Sequence, residues 1–236
     1  MQAWKILIQR FLLSRTIFYI FFGILIGFAL AIASIWLFWE FEISRKGTTV
    51  NQGLEVSELE SLSFDLDNRP SIGRRDARVT VIEFTDYECP FCKRHNETVL
   101  PKLISEYKNN IRYIAVNFPL TQIHPLAFEA SIAAECAFDQ GRFWEYRRQL
   151  FANEGALFFE KLILLADKID LDVNQFEKCM KSDDKYQLVK GDILIAEELG
   201  ITGTPTFFIN DKVLIGSRPF GSFKLLIDAE LQKQYN

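Results

Sequence analysis

The chain has 236 residues, 49% of them hydrophobic, with a formal net charge of −4. That length suits one good-sized domain with an appendage and is short for two full domains. The acidic balance and the lack of a basic tract argue against nucleic acid as a partner.

Residues 1–16 hold Lys5, Arg10 and Arg15 and no acid. From Ile17 to Trp39 run 23 residues without a formal charge, IFYIFFGILIGFALAIASIWLFW. At about 1.5 Å per residue such a helix spans roughly 34 Å, enough to cross a hydrocarbon core of ~30 Å. A helix buried in a soluble core rarely needs so long an uncharged run. Trp4, Trp36 and Trp39 lie near the two ends, where indole rings favour the membrane interface. Positive charge stays cytoplasmic, so the pattern predicts a single-pass cell-membrane protein. Its N-terminus would be inside, the lipid bilayer would meet residues 17–39, and residues 40–236 would be periplasmic or otherwise extracytoplasmic. The rival is a cleaved signal peptide, for which Ala31-Ile32-Ala33 has the small-x-small form. Cleavage there would leave a greasy new terminus, Ser-Ile-Trp-Leu-Phe-Trp, so an uncleaved signal-anchor is expected. Beyond the anchor stand 24 Lys and Arg against 31 Asp and Glu, a charge of −7.

Residues 40–72 are mixed and polar, with Gly47, Gly53 and Pro70, and suggest a linker with one short strand near Ser61–Leu66. At Val79 the texture changes. Val79–Phe84 is apolar and mostly β-branched, a buried strand, and it runs into Cys89-Pro90-Phe91-Cys92. Cys92, Asn96, Val99, Leu103 and Tyr107 recur at helical spacing, with Pro101 set to kink that helix. Ile111–Phe118 is a second strand, so strand, helix and strand form a βαβ unit with parallel strands.

Residues 125–199 are nearly all helical in pattern, with breaks near Gln140-Gly141, Asn153–Gly155 and Asp170–Asn174. Ser182-Asp183 caps a longer helix that ends at Gly200. Thr206–Asn210 and Val213–Gly216 form a hairpin about Asn210-Asp211, and an amphipathic helix over about 220–234 closes the chain. The predicted fold class is α/β, a βαβ half and a ββα half separated by a helical block.

The CxxC follows a predicted strand and opens a predicted helix. Pro90 suits the first turn, where a missing N–H costs nothing. Cys89 then sits at the positive end of the helix, where unpaired N–H groups stabilise a thiolate, the species that attacks disulfides. The position makes Cys89 an exposed nucleophile and Cys92, one turn in and more buried, the resolving thiol of a redox-active pair. The bland alternatives are a static disulfide or half of a zinc site. A four-cysteine zinc site normally has a second close pair, whereas Cys136 and Cys179 are 43 residues apart. In an exported chain those two are expected to form a structural disulfide, buried free thiols being the alternative.

Glu83 interrupts the apolar strand on the face of Val79 and Val81, where an ionisable group is costly unless it works or is paired. It would accept or relay the proton that Cys92 must lose, unless it merely marks a solvent-facing edge. Gly203-Thr204-Pro205-Thr206 precedes a strand, and spacing alone leaves Pro205 either a turn residue or a cis proline that lets Thr204 present its backbone to an extended peptide. His95 and His124 are the only histidines. Copper carriage is the alternative use of these two with the CxxC, and His95 is expected on the helix surface. No metal and no cofactor are expected.

Glu83–Cys92 (EFTDYECPFC) resembles the active-site segment of DsbA-like thiol:disulfide oxidoreductases. So do Phe118-Pro119-Leu120 with Ile123-His124-Pro125, Ala134–Ala137, and Gly203–Phe208 (GTPTFF), all in the family's order over roughly 72–236. The resemblance implies a thioredoxin-like fold with an inserted helical subdomain over about 125–199, within a domain of residues 73–236. It implies that Pro205 is cis and faces the CxxC, with Thr204 and Pro205 binding substrate, and that Glu83 is the buried acid behind the pair. The best-studied strong oxidases of the family carry His before the second cysteine, where this chain has Phe91, which cannot help to hold a thiolate. The expected activity is a monomeric protein disulfide oxidase that accepts electrons from reduced exported proteins. A membrane quinone-linked thiol oxidase would be its reoxidant. The alternatives are an isomerase or reductase of the same fold, for which 33 linker residues are too few to supply a dimerisation module, or a redox-inactive binding module or metal chaperone.

Overall fold

The computed structural model describes residues 32–34 and 65–233. Residues 32–34 are helical. The expected basic segment 1–16, the rest of the membrane-crossing segment 17–39 and residues 40–64 of the expected linker lie outside the described residues. Among the described residues no helix is long and apolar enough to cross a membrane.

The strands are β1 (Ser71–Gly73), β2 (Val79–Thr85), β3 (Ile111–Asn117), β4 (Thr206–Ile209) and β5 (Lys212–Ile215). They form one sheet in the order β1-β3-β2-β4-β5. β2 and β3 are parallel, with Glu83 opposite Ala115, and all other pairs are antiparallel. The parallel pair is joined through α1 (Pro90–Thr98) and α2 (Leu100–Tyr107). β3 is buried along its whole length and β2 almost so, as parallel strands covered on both faces must be. One face packs Val79, Val81, Tyr113 and Phe207 against Leu103 of α2 and Phe223 of the last helix. The other packs Ile82, Phe84, Val116 and Phe208 against Ala196 and Leu199.

The break between α1 and α2 falls at Val99, two residues before Pro101, whose ring and missing N–H forbid an unbroken helix. The inserted block is α3 (Ala127–Asp139), α4 (Phe143–Ala152), α5 (Phe159–Asp167), α6 (Val173–Met180) and α7 (Asp183–Glu198). Ser182 caps α7 by accepting from Asp184 N at 3.2 Å, and Gly200, at φ 69°, turns the chain out of it. α8 (Phe220–Gln232) follows the β4–β5 hairpin.

Two expectations about the region before β2 are corrected. Ser71 and Ile72, placed in the linker, belong to β1 and pair with Ile114 and Tyr113 of β3. Asp65 and Leu66 are not strand: Asp65 Oδ1 accepts from the N–H groups of Asp67 and Asn68, an Asx turn that competes with extension.

Candidate active site

Cys89 is the N-cap of α1 and Pro90 its first residue, so the helix opens directly at the CxxC. Both thiols are free. The Cys89 thiol donates to the carbonyl of Thr204 at 3.4 Å, and the Thr204–Pro205 peptide is cis. Cys89 is not the exposed thiol that its helix-end position suggests. It is 4% accessible, with the Thr204 carbonyl, just before the neighbouring strand β4, against its sulfur, while Phe91 beside it is 52% exposed.

The two thiols are electrostatically unequal. The Cys92 thiol, the hydroxyl of Thr204 and the N–H groups of Cys92 and Phe91 outweigh burial and bring Cys89 down to about 6. Thr204 Oγ1 is buried with no other partner, which leaves it free to donate to the thiolate. Burial pushes Cys92 well above the ordinary thiol range, helped by the charges of Cys89 and Glu83.

Glu83 is wholly buried and paired. Its Oε2 accepts from Tyr113 Oη at 2.7 Å and from Arg147 Nη2 at 2.7 Å. Arg147 also donates to Asn96 Oδ1 at 3.1 Å, and its guanidinium lies 5.1 Å from the Phe151 ring centre. Burial disfavours the Glu83 carboxylate, yet the Arg147 guanidinium and the Tyr113 hydroxyl hold it below the ordinary carboxyl range. Oε2 is committed to these two donors, whereas Oε1 is buried with no hydrogen-bond partner.

His95 is not on the surface. It is fully buried, with Nε2 2.9 Å from Tyr113 Oη and its ring 4.5 Å from that of Phe207. The reason is helical phase: Cys92, His95 and Asn96 are i, i+3 and i+4 on one face. Burial lowers its pKa to about 4 and keeps it neutral. Cys136 of α3 and Cys179 of α6 are joined as a disulfide, with S–S 2.01 Å and Cα–Cα 5.7 Å. Among the described residues no group of three or more His, Cys, Asp or Glu is arranged to hold a metal.

Sequence reasoning missed Arg147 and Tyr113. Arg147 left a signal: it falls on the stripe Phe143, Tyr146, Leu150, Phe151, the buried face of α4. A charge on that stripe must meet another.

A family profile described as Thioredoxin matches residues 65–229. The probable disulfide bond formation protein D of Bacillus cereus is 32% identical over 179 residues, 72% of this chain and 82% of that protein. The Na(+)/H(+) antiporter NhaA 1 of Salinispora arenicola is 38% identical over 153 residues, and the chain spans only 22% of that protein's length. Oxidised BdbD of Bacillus subtilis superposes with a TM-score of 0.65 at 25% identity, over 71% of this chain and 95% of that one. A CxxC at a helix mouth facing a cis Thr-Pro, a helical block within the sheet topology and a profile that spans most of the chain agree: the chain belongs to the thioredoxin family, as a DsbA-like member.

Proposed function

We propose that the protein is a thiol:disulfide oxidoreductase that introduces disulfides into exported proteins through Cys89 and Cys92. The observation that carries the reading is the asymmetry of the pair: Cys89 at the α1 mouth against Thr204, and Cys92 sealed behind it. In the oxidised protein Cys89 and Cys92 share a disulfide. A substrate thiolate attacks Cys89 Sγ, the Cys89–Cys92 bond breaks, and Cys92 leaves with the electron pair and takes up a proton by way of Glu83. A second substrate thiolate then attacks the substrate sulfur of the mixed disulfide and expels Cys89 as a thiolate. Two electrons pass to the protein and the substrate gains a disulfide. A low-pKa thiolate leaves easily and stabilises the reduced form, which favours the oxidising direction. Thr204 and Pro205 would hold the substrate strand during exchange.

The membrane-bound part of the proposal rests on the 23 uncharged residues behind Lys5, Arg10 and Arg15. On this reading 1–16 is cytoplasmic, 17–39 is the anchor, and the catalytic domain works outside as a monomer, restored by a quinone-linked oxidase in the membrane. Intact residues near Met1 in the membrane fraction are expected, and a soluble mature form beginning near Ser34 would contradict the anchor.

Equilibration of the domain with glutathione buffers tests the direction of transfer. A reduction potential well above the roughly −270 mV of thioredoxin, with faster oxidation of a reduced test protein, is expected. A potential at or below that value makes the protein a reductase.

A further inference from the structure

Outside the thiol pair, the polar junction nearest Cys89 joins Asp86 to His124. Asp86 lies in the loop between β2 and α1, three residues before Cys89, with its side chain fully buried. Its Oδ1 accepts from the backbone N–H groups of Glu88 at 2.8 Å and Cys89 at 3.1 Å. Its Oδ2 accepts from Leu120 N at 2.8 Å and from His124 Nδ1 at 2.9 Å. His124 belongs to the loop between β3 and α3, so one carboxylate fastens two loops at the mouth of the site. Glu88 adds a second tie, Oε2 accepting from Leu126 N at 2.7 Å.

The consequence for Cys89 is electrostatic as well as geometric. A negative charge hydrogen-bonded to the Cys89 amide opposes formation of a thiolate on the same residue. Three of its four donors are backbone amides, neutral dipoles. His124 is the side chain that meets this carboxylate, and an imidazole can offset it with positive charge. The CxxC itself supplies no such group, since Phe91 stands before Cys92 and packs under Arg94, whose guanidinium carbon is 5.2 Å from the ring centre. Around the junction stand Glu88 in the same loop, Cys92 in α1, and Glu83 paired with Arg147 behind it.

We propose that His124 is a positioning residue for the thiol chemistry: oriented by Asp86, it offsets that carboxylate and fixes the Cys89 backbone so that the Cys89 thiolate forms readily. The imidazole would thus come from a different loop and act through one carboxylate. This inference rests on the reading of Cys89 as the nucleophile.

The ultraviolet thiolate absorbance of the reduced protein, followed against pH, tests it without any substrate. His124→Ala should raise the thiolate pKa by about one unit, in the range expected for loss of an opposite charge near a titrating group. His124→Gln, which keeps a donor to Asp86, should recover part of that shift. Asp86→Asn, which removes the opposing charge, should lower the thiolate pKa. A purely architectural role would move His124→Ala and Asp86→Asn the same way, and that result, or a His124→Ala curve that overlays the parent, overturns the proposal. Thermal unfolding is followed in parallel. If His124→Ala does not fold, Asp86→Asn decides: a fall supports the assignment, and a rise or no change overturns it. Failure of substrate oxidation with these thiolate shifts intact would instead count against the proposed function.

Discussion

Glu83 of β2 and Arg147 of α4 form an ion pair 2.7 Å long with neither side chain accessible to solvent. It ties the inserted helical block to the sheet behind Cys92. Removing one partner of such a pair leaves an uncompensated buried charge and typically costs about 3–5 kcal/mol. Arg147→Met should therefore destabilise the domain by about that much in urea unfolding. The double variant Glu83→Gln/Arg147→Met should lose less than Arg147→Met alone. A loss under about 1 kcal/mol in the single variant would contradict the pairing.

Two buried groups should tilt the pH dependence of stability in opposite directions. Burial depresses His95 from 6.5 to about 4, so the folded protein binds fewer protons than the unfolded one; its contribution is present above pH 6.5 and is lost as pH falls through about 4. Burial, then the charge of Asp192, raises Glu135 from 4.5 to about 7; its contribution is present below pH 4.5 and is lost as pH rises through about 7. Within that window the two slopes oppose each other. His95→Gln should leave a stability that falls as pH rises from 4.5 to 7, and Glu135→Gln one that rises from about 4 to 6.5. Unfolding midpoints across the window check the slopes, and equal slopes in both variants would contradict the assignment.

The Cys136–Cys179 disulfide closes a loop with a sequence separation of 43 between α3 and α6. In the chain-entropy model a loop of that length is worth about 4 kcal/mol. A Cys136→Ala/Cys179→Ala variant should lose stability of that order in denaturant unfolding, and a melting temperature unchanged within error would contradict it.

Much of this was legible in the sequence because local chemistry dictated it. The CxxC announced itself through its context, a β-branched run before it and Pro90 at the helix start. Pro101, Ser182 and Gly200 marked where helices break, begin and end. What stayed hidden depends on tertiary contact. Arg147 reads as one of two adjacent arginines until the phase of α4 is fixed and Glu83 is found opposite. His95 was misplaced because a histidine one turn beyond a cysteine is polar by composition, and only the packing of Tyr113, Phe207 and Phe223 about it makes that side the inside. β1 is three residues long, too short for any period, and exists because β3 offers it an edge. The covering of Cys89 by Thr204 joins residues 115 apart.

The unequal roles of Cys89 and Cys92 are tested most directly by running the exchange in reverse, with the reduced protein and a substrate protein that carries a disulfide: the attacking thiolate forms a mixed disulfide with one substrate sulfur and expels the other. Cys92→Ala removes the resolving thiol but leaves the nucleophile, so mass spectrometry should find a covalent complex through Cys89. Cys89→Ala should trap nothing, because Cys92 is sealed from solvent and its thiol is held protonated. In this reverse direction release requires Cys92 to give up its proton and attack Cys89 Sγ, so adding Glu83→Gln to the otherwise intact protein should slow release of the mixed disulfide more than its formation. Complexes through Cys92 in the Cys89→Ala variant, with none in Cys92→Ala, would make Cys92 the nucleophile and Cys89 the resolving thiol.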